Sequence, residues 1–260
     1  NNMTKYILII AQLILVIQFS YAQIAVKGET VYTVSGETIT NGVILIENGK
    51  IIKVGNESDI KIPKNFKVYG GKVVTPGLVD AHATVGFSGI YNQKSDQMQL
   101  DKSGPIQPEL RAIDGYNPQE KLVSFLNSKG VTTVHTGHGP GAAVSGQTFV
   151  AKTHGETVDA VKLDDATMMA MTIGPSVSRN FKSPGTSAKE IAMLRTEFIK
   201  AQEYQKKMMN SDVTKHPERN LKKEALVALL EGKMKALITV NSSNLIMTAI
   251  RLANEFNLKL

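Results

Sequence analysis

Pro76-Gly77 divides this sequence into two grammars, and that division constrains the fold more than any other feature. Before it, short apolar-rich runs alternate with turn residues. Thr30 to Val34, Val43 to Glu47, Ile51 to Val54 and Lys72 to Thr75 read as strands. Asn48-Gly49 lies between two of them, and both residues tolerate the positive φ that a type I′ hairpin turn demands. The expectation is a small β-sandwich-like module over residues 23–76. After Gly77 strand candidates alternate with helices of about ten residues or more, the order of βα units.

The helices of the second part are marked by their ends. Asn117 with Pro118 and Glu120 forms a capping box ahead of Leu122, Val123, Phe125 and Leu126, and Gly130 ends that helix before a buried strand at Val131 to Val134. Ser187 with Glu190 forms a second capping box, opening a long helix with Ile191, Leu194, Phe198 and Ile199 on one side. A further helix runs from Leu221 to Glu231 and stops at Gly232. Ala236 to Val240 is then a strand, Asn244 to Phe256 a helix with Asn257 as a left-handed stop, and Leu258-Lys259-Leu260 reads as the opening of another strand. Met168 to Ile173 suits a buried strand, with its methionines as packing.

A closed (β/α)8 barrel takes about 250 residues, and fewer remain after Gly77. The fold class expected is therefore α/β, with an incomplete (β/α) TIM-type barrel over residues 77–260; a smaller open α/β sheet is the alternative. An incomplete barrel leaves apolar faces uncovered, so an oligomer or a completing segment beyond Leu260 is expected.

The N-terminus carries Lys5 and then an apolar run from Ile7 to Ile17, followed by Ser20-Tyr21-Ala22. That is a signal peptide over residues 1–22 with cleavage before Gln23, which implies export to the periplasm or secretion. The run falls short of the ~20 apolar residues that cross a bilayer, so no permanent membrane anchor is expected. The chain has no cysteine, which removes disulfides and thiolate chemistry. Its net charge of +7 does not indicate nucleic-acid binding, because the basic residues from Lys189 to Lys235 alternate with glutamates at helical spacing, the pattern of a solvated helix face.

Chemistry concentrates in two places. In the passage Val73-Val74-Thr75-Pro76-Gly77-Leu78-Val79-Asp80-Ala81-His82, a histidine closes a strand. Histidines at i and i+2 on one strand would share a face and could bind one cation, but here the second position is Thr84, a poor zinc ligand. The second place is His135-Thr136-Gly137-His138-Gly139-Pro140-Gly141, after the strand at Val131. His135 and His138 could bind a metal or a substrate anion, or sit as exposed imidazoles in a flexible loop. Gly139 to Gly146 lacks the Gly-Lys-Ser/Thr ending of a phosphate loop, and Ser145-Gly146-Gln147 is not the hydrolase nucleophile elbow.

The Val-x-Pro-Gly-Leu-Val-Asp-x-His passage resembles the amidohydrolase superfamily, and within it exported relatives of imidazolonepropionase. The resemblance implies a small β module joined to a barrel. It implies hydrolysis of carbon–nitrogen bonds other than peptide bonds in a small-molecule substrate, by water that a zinc-like divalent metal activates. His82 would be a metal ligand, and its His-x-His partner position is Thr84. A later ligand histidine, expected on the strand after the Leu-Leu-x-Gly-Lys turn, falls at Thr239, so two expected imidazoles are replaced. The base aspartate of such enzymes would lie beyond Leu260. A descendant that has lost its metal, serving as an exported binding or scaffold protein, is the alternative.

Overall fold

The computed structural model describes residues 23–260. The expected signal peptide lies outside the described residues. The chain divides into two compact units between Pro76 and Gly77.

The first unit is a four-stranded sheet. Its strands are β1 (Ile24–Val31), β2 (Ile39–Glu47), β3 (Lys50–Asn56) and β4 (Lys67–Val74), in the order β3-β2-β1-β4. The β2–β3 hairpin closes on the Glu47–Lys50 pair, with Asn48 and Gly49 at φ 52° and 72°. Both central residues take positive φ, which matches the right-handed twist of the flanking strands. β4 runs parallel to β1, so it begins at Lys67, five residues earlier than its apolar run suggests. Ala25, Val43, Leu45, Ile60 and Phe66 form this unit's own core.

The second unit is α/β. It holds β5 (Leu78–Ala83), α1 (Lys121–Ser128), β6 (Val131–Thr136), β7 (Val144–Gln147), β8 (Phe149–Lys152), α2 (Val158–Val161), β9 (Lys162–Asp164) and β10 (Met168–Thr172). There follow α3 (Pro175–Asn180), α4 (Ser187–Met208), α5 (Leu221–Leu230), β11 (Lys235–Thr239) and α6 (Ser243–Phe256). Two sheets result, β5-β6-β8-β9 and β11-β10-β7. β5 pairs parallel with β6 and β10 with β11, each across a connection that contains helix, as parallel pairing requires. β10 is buried at every residue but Met168: Met169 and Met171 share a core with Leu194 and Phe198 of α4, Leu226 and Leu229 of α5, and Leu252 and Phe256 of α6. Past α6, Leu258 is buried and the carbonyl of Lys259 accepts a bond from the Ala236 N–H, at the start of β11.

Two caps differ from the sequence expectation. The α1 cap is Glu120, whose carboxylate accepts from the Leu122 N–H, while Asn117 spends its side chain on the Gln119 N–H. The cap of α4 is Thr186, which accepts from the Lys189 N–H, so Ser187 is already helical and Glu190 falls one position past the reciprocal site of a capping box.

Candidate functional site

His82, His135, Thr172 and Thr239 lie at or near the C-terminal ends of β5, β6, β10 and β11. At the end of β5 the pairing with β6 is irregular between Asp80 and Ala83, and the strand stops at Ala83. His82 lies within that irregularity. Its backbone N–H donates to Asp80 Oδ1 at 3.1 Å, and its ring lies 6.0 Å from that of His135. Partial burial lowers the His82 pKa, the nearby His135 lowers it further, and Asp80 opposes both. The imidazole is therefore neutral at pH 7. Thr84 falls outside the strand and starts a tight turn: its carbonyl accepts from the Phe87 and Ser88 N–H groups and its hydroxyl pairs with Ser88 Oγ at 3.2 Å. The irregularity removes the shared strand face that positions 82 and 84 would have on a regular strand.

His135 and His138 are both buried rather than exposed on a loop. His135 Nδ1 faces the Ala81 carbonyl at 2.9 Å and Nε2 faces Thr148 Oγ1 at 2.6 Å. A carbonyl only accepts, so Nδ1 donates to Ala81, while the one hydrogen of the Thr148 hydroxyl also faces the Met168 carbonyl at 3.1 Å. Thr148 also receives the Met168 N–H at 3.2 Å, so His135 ties β5, β6 and the start of β10 together. The sequence held no sign of this, because β7 and β8 bring Thr148 into place from a stretch that reads as loop.

His138 has no hydrogen-bond partner at either nitrogen among the described residues. It packs 5.7 Å from the Phe87 ring, and any Cβ at Gly146 would fall 2.9 Å from its Nε2. Burial lowers its pKa and Asp101 works against that shift. The structure thus pairs His82 with His135 and sets His138 in a separate apolar setting. Thr239 ends β11 and lines a cavity with Thr172, Gly174, Ser176 and Asn241.

Glu190 is a polar residue whose place the sequence reading missed. It is 2% exposed, and its two oxygens accept from the Gly174 N–H at 3.1 and 3.4 Å. Burial without a cation pushes its pKa up to about 7, against a small opposing effect of the Gly174 bond. The signal was present: residues 190, 194, 198 and 201 recur at helical spacing, which places Glu190 on the buried stripe of α4.

No family model matches the chain. The amidohydrolase tasK of Hapsidospora irregularis is 30% identical over 114 residues, 43% of this chain and 12% of that protein. The imidazolonepropionase of Staphylococcus aureus is 32% identical over 77 residues, 30% of this chain and 18% of that protein. The decisive likeness is to the solved amidohydrolase from Thermotoga maritima MSB8, which superposes with a TM-score of 0.84 at 27% identity over 91% of this chain and 63% of that one. In sequence and fold the chain is similar to proteins of the amidohydrolase superfamily. It carries the N-terminal part of the amidohydrolase fold, and it spans less than two thirds of the length of each relative named here.

The metal that this family implies can be tested against the side chains. A zinc site takes at least three protein ligands. Among the described residues no three histidine, aspartate or glutamate side chains come together in a way that could hold an ion. His135 has both nitrogens committed, and the Thr84 hydroxyl is paired with Ser88. These residues do not fit the metal.

Proposed function

We propose that this protein is a hydrolase of carbon–nitrogen bonds other than peptide bonds, acting on a small molecule at the C-terminal ends of β5, β6, β10 and β11. The observation that carries the reading is the likeness to the Thermotoga maritima amidohydrolase over 91% of the chain. Unit 2 is read as the N-terminal part of a (β/α) barrel, in which that end of the strands is the reactive face. His82 is the residue proposed to act there: its neutral imidazole, partly exposed at the end of β5, can accept a proton from an attacking water. His135 holds its surroundings through Ala81 and Thr148. Metal-activated water remains the chemistry that the resemblance implies, and the side chains described here do not support it.

A specific observation favours a second reading. The Thr84 hydroxyl is turned to Ser88 and His135 is fully bonded, which suits an amidohydrolase fold kept as a non-catalytic binding or scaffold protein. Both readings expect little bound metal, which metal analysis tests, and turnover of an amide or cyclic urea separates them. Purified protein should hold well under one zinc-like ion per chain at neutral pH, and His82→Ala should leave that content unchanged. About one ion per chain, lost in the variant, would restore the metal-dependent mechanism.

The protein is also proposed to be exported, on the strength of the Ile7 to Ile17 run and Ser20-Tyr21-Ala22. Among the described residues no helix is long and apolar enough to cross a membrane. N-terminal sequencing of secreted material should begin at Gln23.

A further inference from the structure

Residues 174–181 follow β10 and are joined to the rest of unit 2 by few bonds. Their helix, α3, is less than two turns long, and Gly174 at its N-cap has no side chain to bond the first N–H groups. Another helix supplies the bond at that end: Glu190 of α4 accepts the Gly174 N–H, its nearer oxygen at 3.1 Å. At the other end Asn180 Nδ2 donates to the Gly141 carbonyl at 3.0 Å, on the loop after β6, and the Gly141 N–H donates to Thr172 Oγ1 at 2.8 Å. Between these ties Val177 shares the core with Ile191, Leu194 and Leu245, while Pro175, Ser178 and Arg179 are exposed. Glycines on both sides leave the backbone free to turn. Gly174 lies at φ 144° and ψ −170°, a region that only glycine occupies without strain, and a Cβ at Gly185 would meet nothing within 4 Å.

The bond from Glu190 is the one that chemistry can undo. Its carboxyl is buried, and the Gly174 N–H is its one donor among the described residues. A buried carboxylate is costly unless it is paired with a cation or bonded by several donors. No cation is at hand. Lys189 beside it on α4, Arg179 on α3, Lys235 on β11 and Arg251 on α6 are all exposed, and β10 carries no charged residue. None of those charges moves its pKa, which burial raises to about 7 against the opposing effect of the Gly174 bond. The backbone against its oxygens is that of Gly174, so its short route to water is for residues 174–181 to move off α4.

We propose that Glu190 is a pH-sensitive latch: its neutral carboxyl keeps residues 174–181 against α4, and its ionisation releases them. The closed form carries the protonated group and the open form an ordinary, hydrated carboxylate. The closed form's advantage is therefore complete below about pH 4.5, shrinks as pH rises toward 7, and is constant beyond it. Release loosens the β10 side of unit 2's C-terminal face, along with the loop after β6 that Asn180 and Thr172 hold. The latch does not depend on the hydrolase reading.

Native-state hydrogen exchange of the purified chain between pH 5 and 8, read residue by residue and corrected for the intrinsic rate, measures this opening. The amides to follow are Gly174, bonded to Glu190, Val177, bonded to the Gly174 carbonyl, and Phe181, bonded to the Val177 carbonyl. They should open more readily than the core amides of Leu194 and Leu252. Their opening constant should rise by up to about tenfold per pH unit between pH 5 and 7, as one proton leaves with each opening, and then level off. Glu190→Gln should hold it flat across the range. Asn180→Ala, which leaves Glu190 in place, should raise it about fivefold at every pH, the loss of one hydrogen bond, and keep the slope; this variant carries the test if Glu190→Gln fails to fold. An opening constant indifferent to pH in the wild type would overturn the latch. So would a slope that survives in Glu190→Gln or vanishes in Asn180→Ala, or exchange of these amides only together with the core.

Discussion

Replacing Glu190 with glutamine separates charge from shape at one buried position. Burial pushes its carboxyl pKa up to about 7 from the ordinary 4.5, so the folded state holds its proton more tightly than the unfolded chain does. The stability this provides is complete below about pH 4.5, falls as pH rises toward 7, and is flat beyond it. Urea melts should show the wild type losing on the order of 3 kcal/mol between pH 4.5 and 8 through this group, a loss that Glu190→Gln escapes. Parallel pH curves for the two proteins would contradict the burial assigned to Glu190. The same residue shows what was legible. Helical spacing placed it on the apolar stripe, but a serine three positions earlier drew it into a capping reading, and local chemistry outweighed periodicity. The strand-end motif singles out His82 in the sequence, and its place at the end of β5 is legible there. The burial of His135 and His138 was not, because it depends on Thr148, Phe87 and Gly146, which arrive from elements distant in sequence.

At the scale of elements, the caps give a direct comparison. Thr186→Ala should cost about 1 kcal/mol in a denaturant melt, because the Lys189 N–H loses its partner at the start of α4. Ser187→Ala should change little. The reverse order would return the cap to the position that the sequence suggested. The β2–β3 hairpin was readable because Asn48-Gly49 admits few alternatives: Gly49 sits at φ 72°, and Gly49→Ala should cost about 1 kcal/mol there. β7, β8 and β9 were unread. They are only three or four residues long, and β7 interrupts its apolar character with Ser145, Gly146 and Gln147, so neither period 2 nor a continuous apolar run identifies it.

For the whole molecule, the change of grammar at Pro76-Gly77 coincides with the boundary between two compact units, each with a core of its own. The α/β class followed from the strand and helix alternation after that point. α6 leaves Ile246, Met247 and Ile250 between 38% and 60% exposed, more apolar surface than one helix face needs in a solitary chain. Light scattering on the purified protein should show concentration-dependent self-association that Ile246→Glu with Ile250→Glu relieves; a monodisperse monomer at all concentrations would contradict this. The proposed activity is hydrolysis of a carbon–nitrogen bond. The measurement that reaches it is amine or ammonia release from a panel of amides and cyclic ureas, run with the purified protein beside His82→Ala. Release above the blank, reduced about a hundredfold in the variant as expected for loss of a general base, is the outcome predicted here. No release from either protein, or equal release from both, would contradict a hydrolase acting through His82.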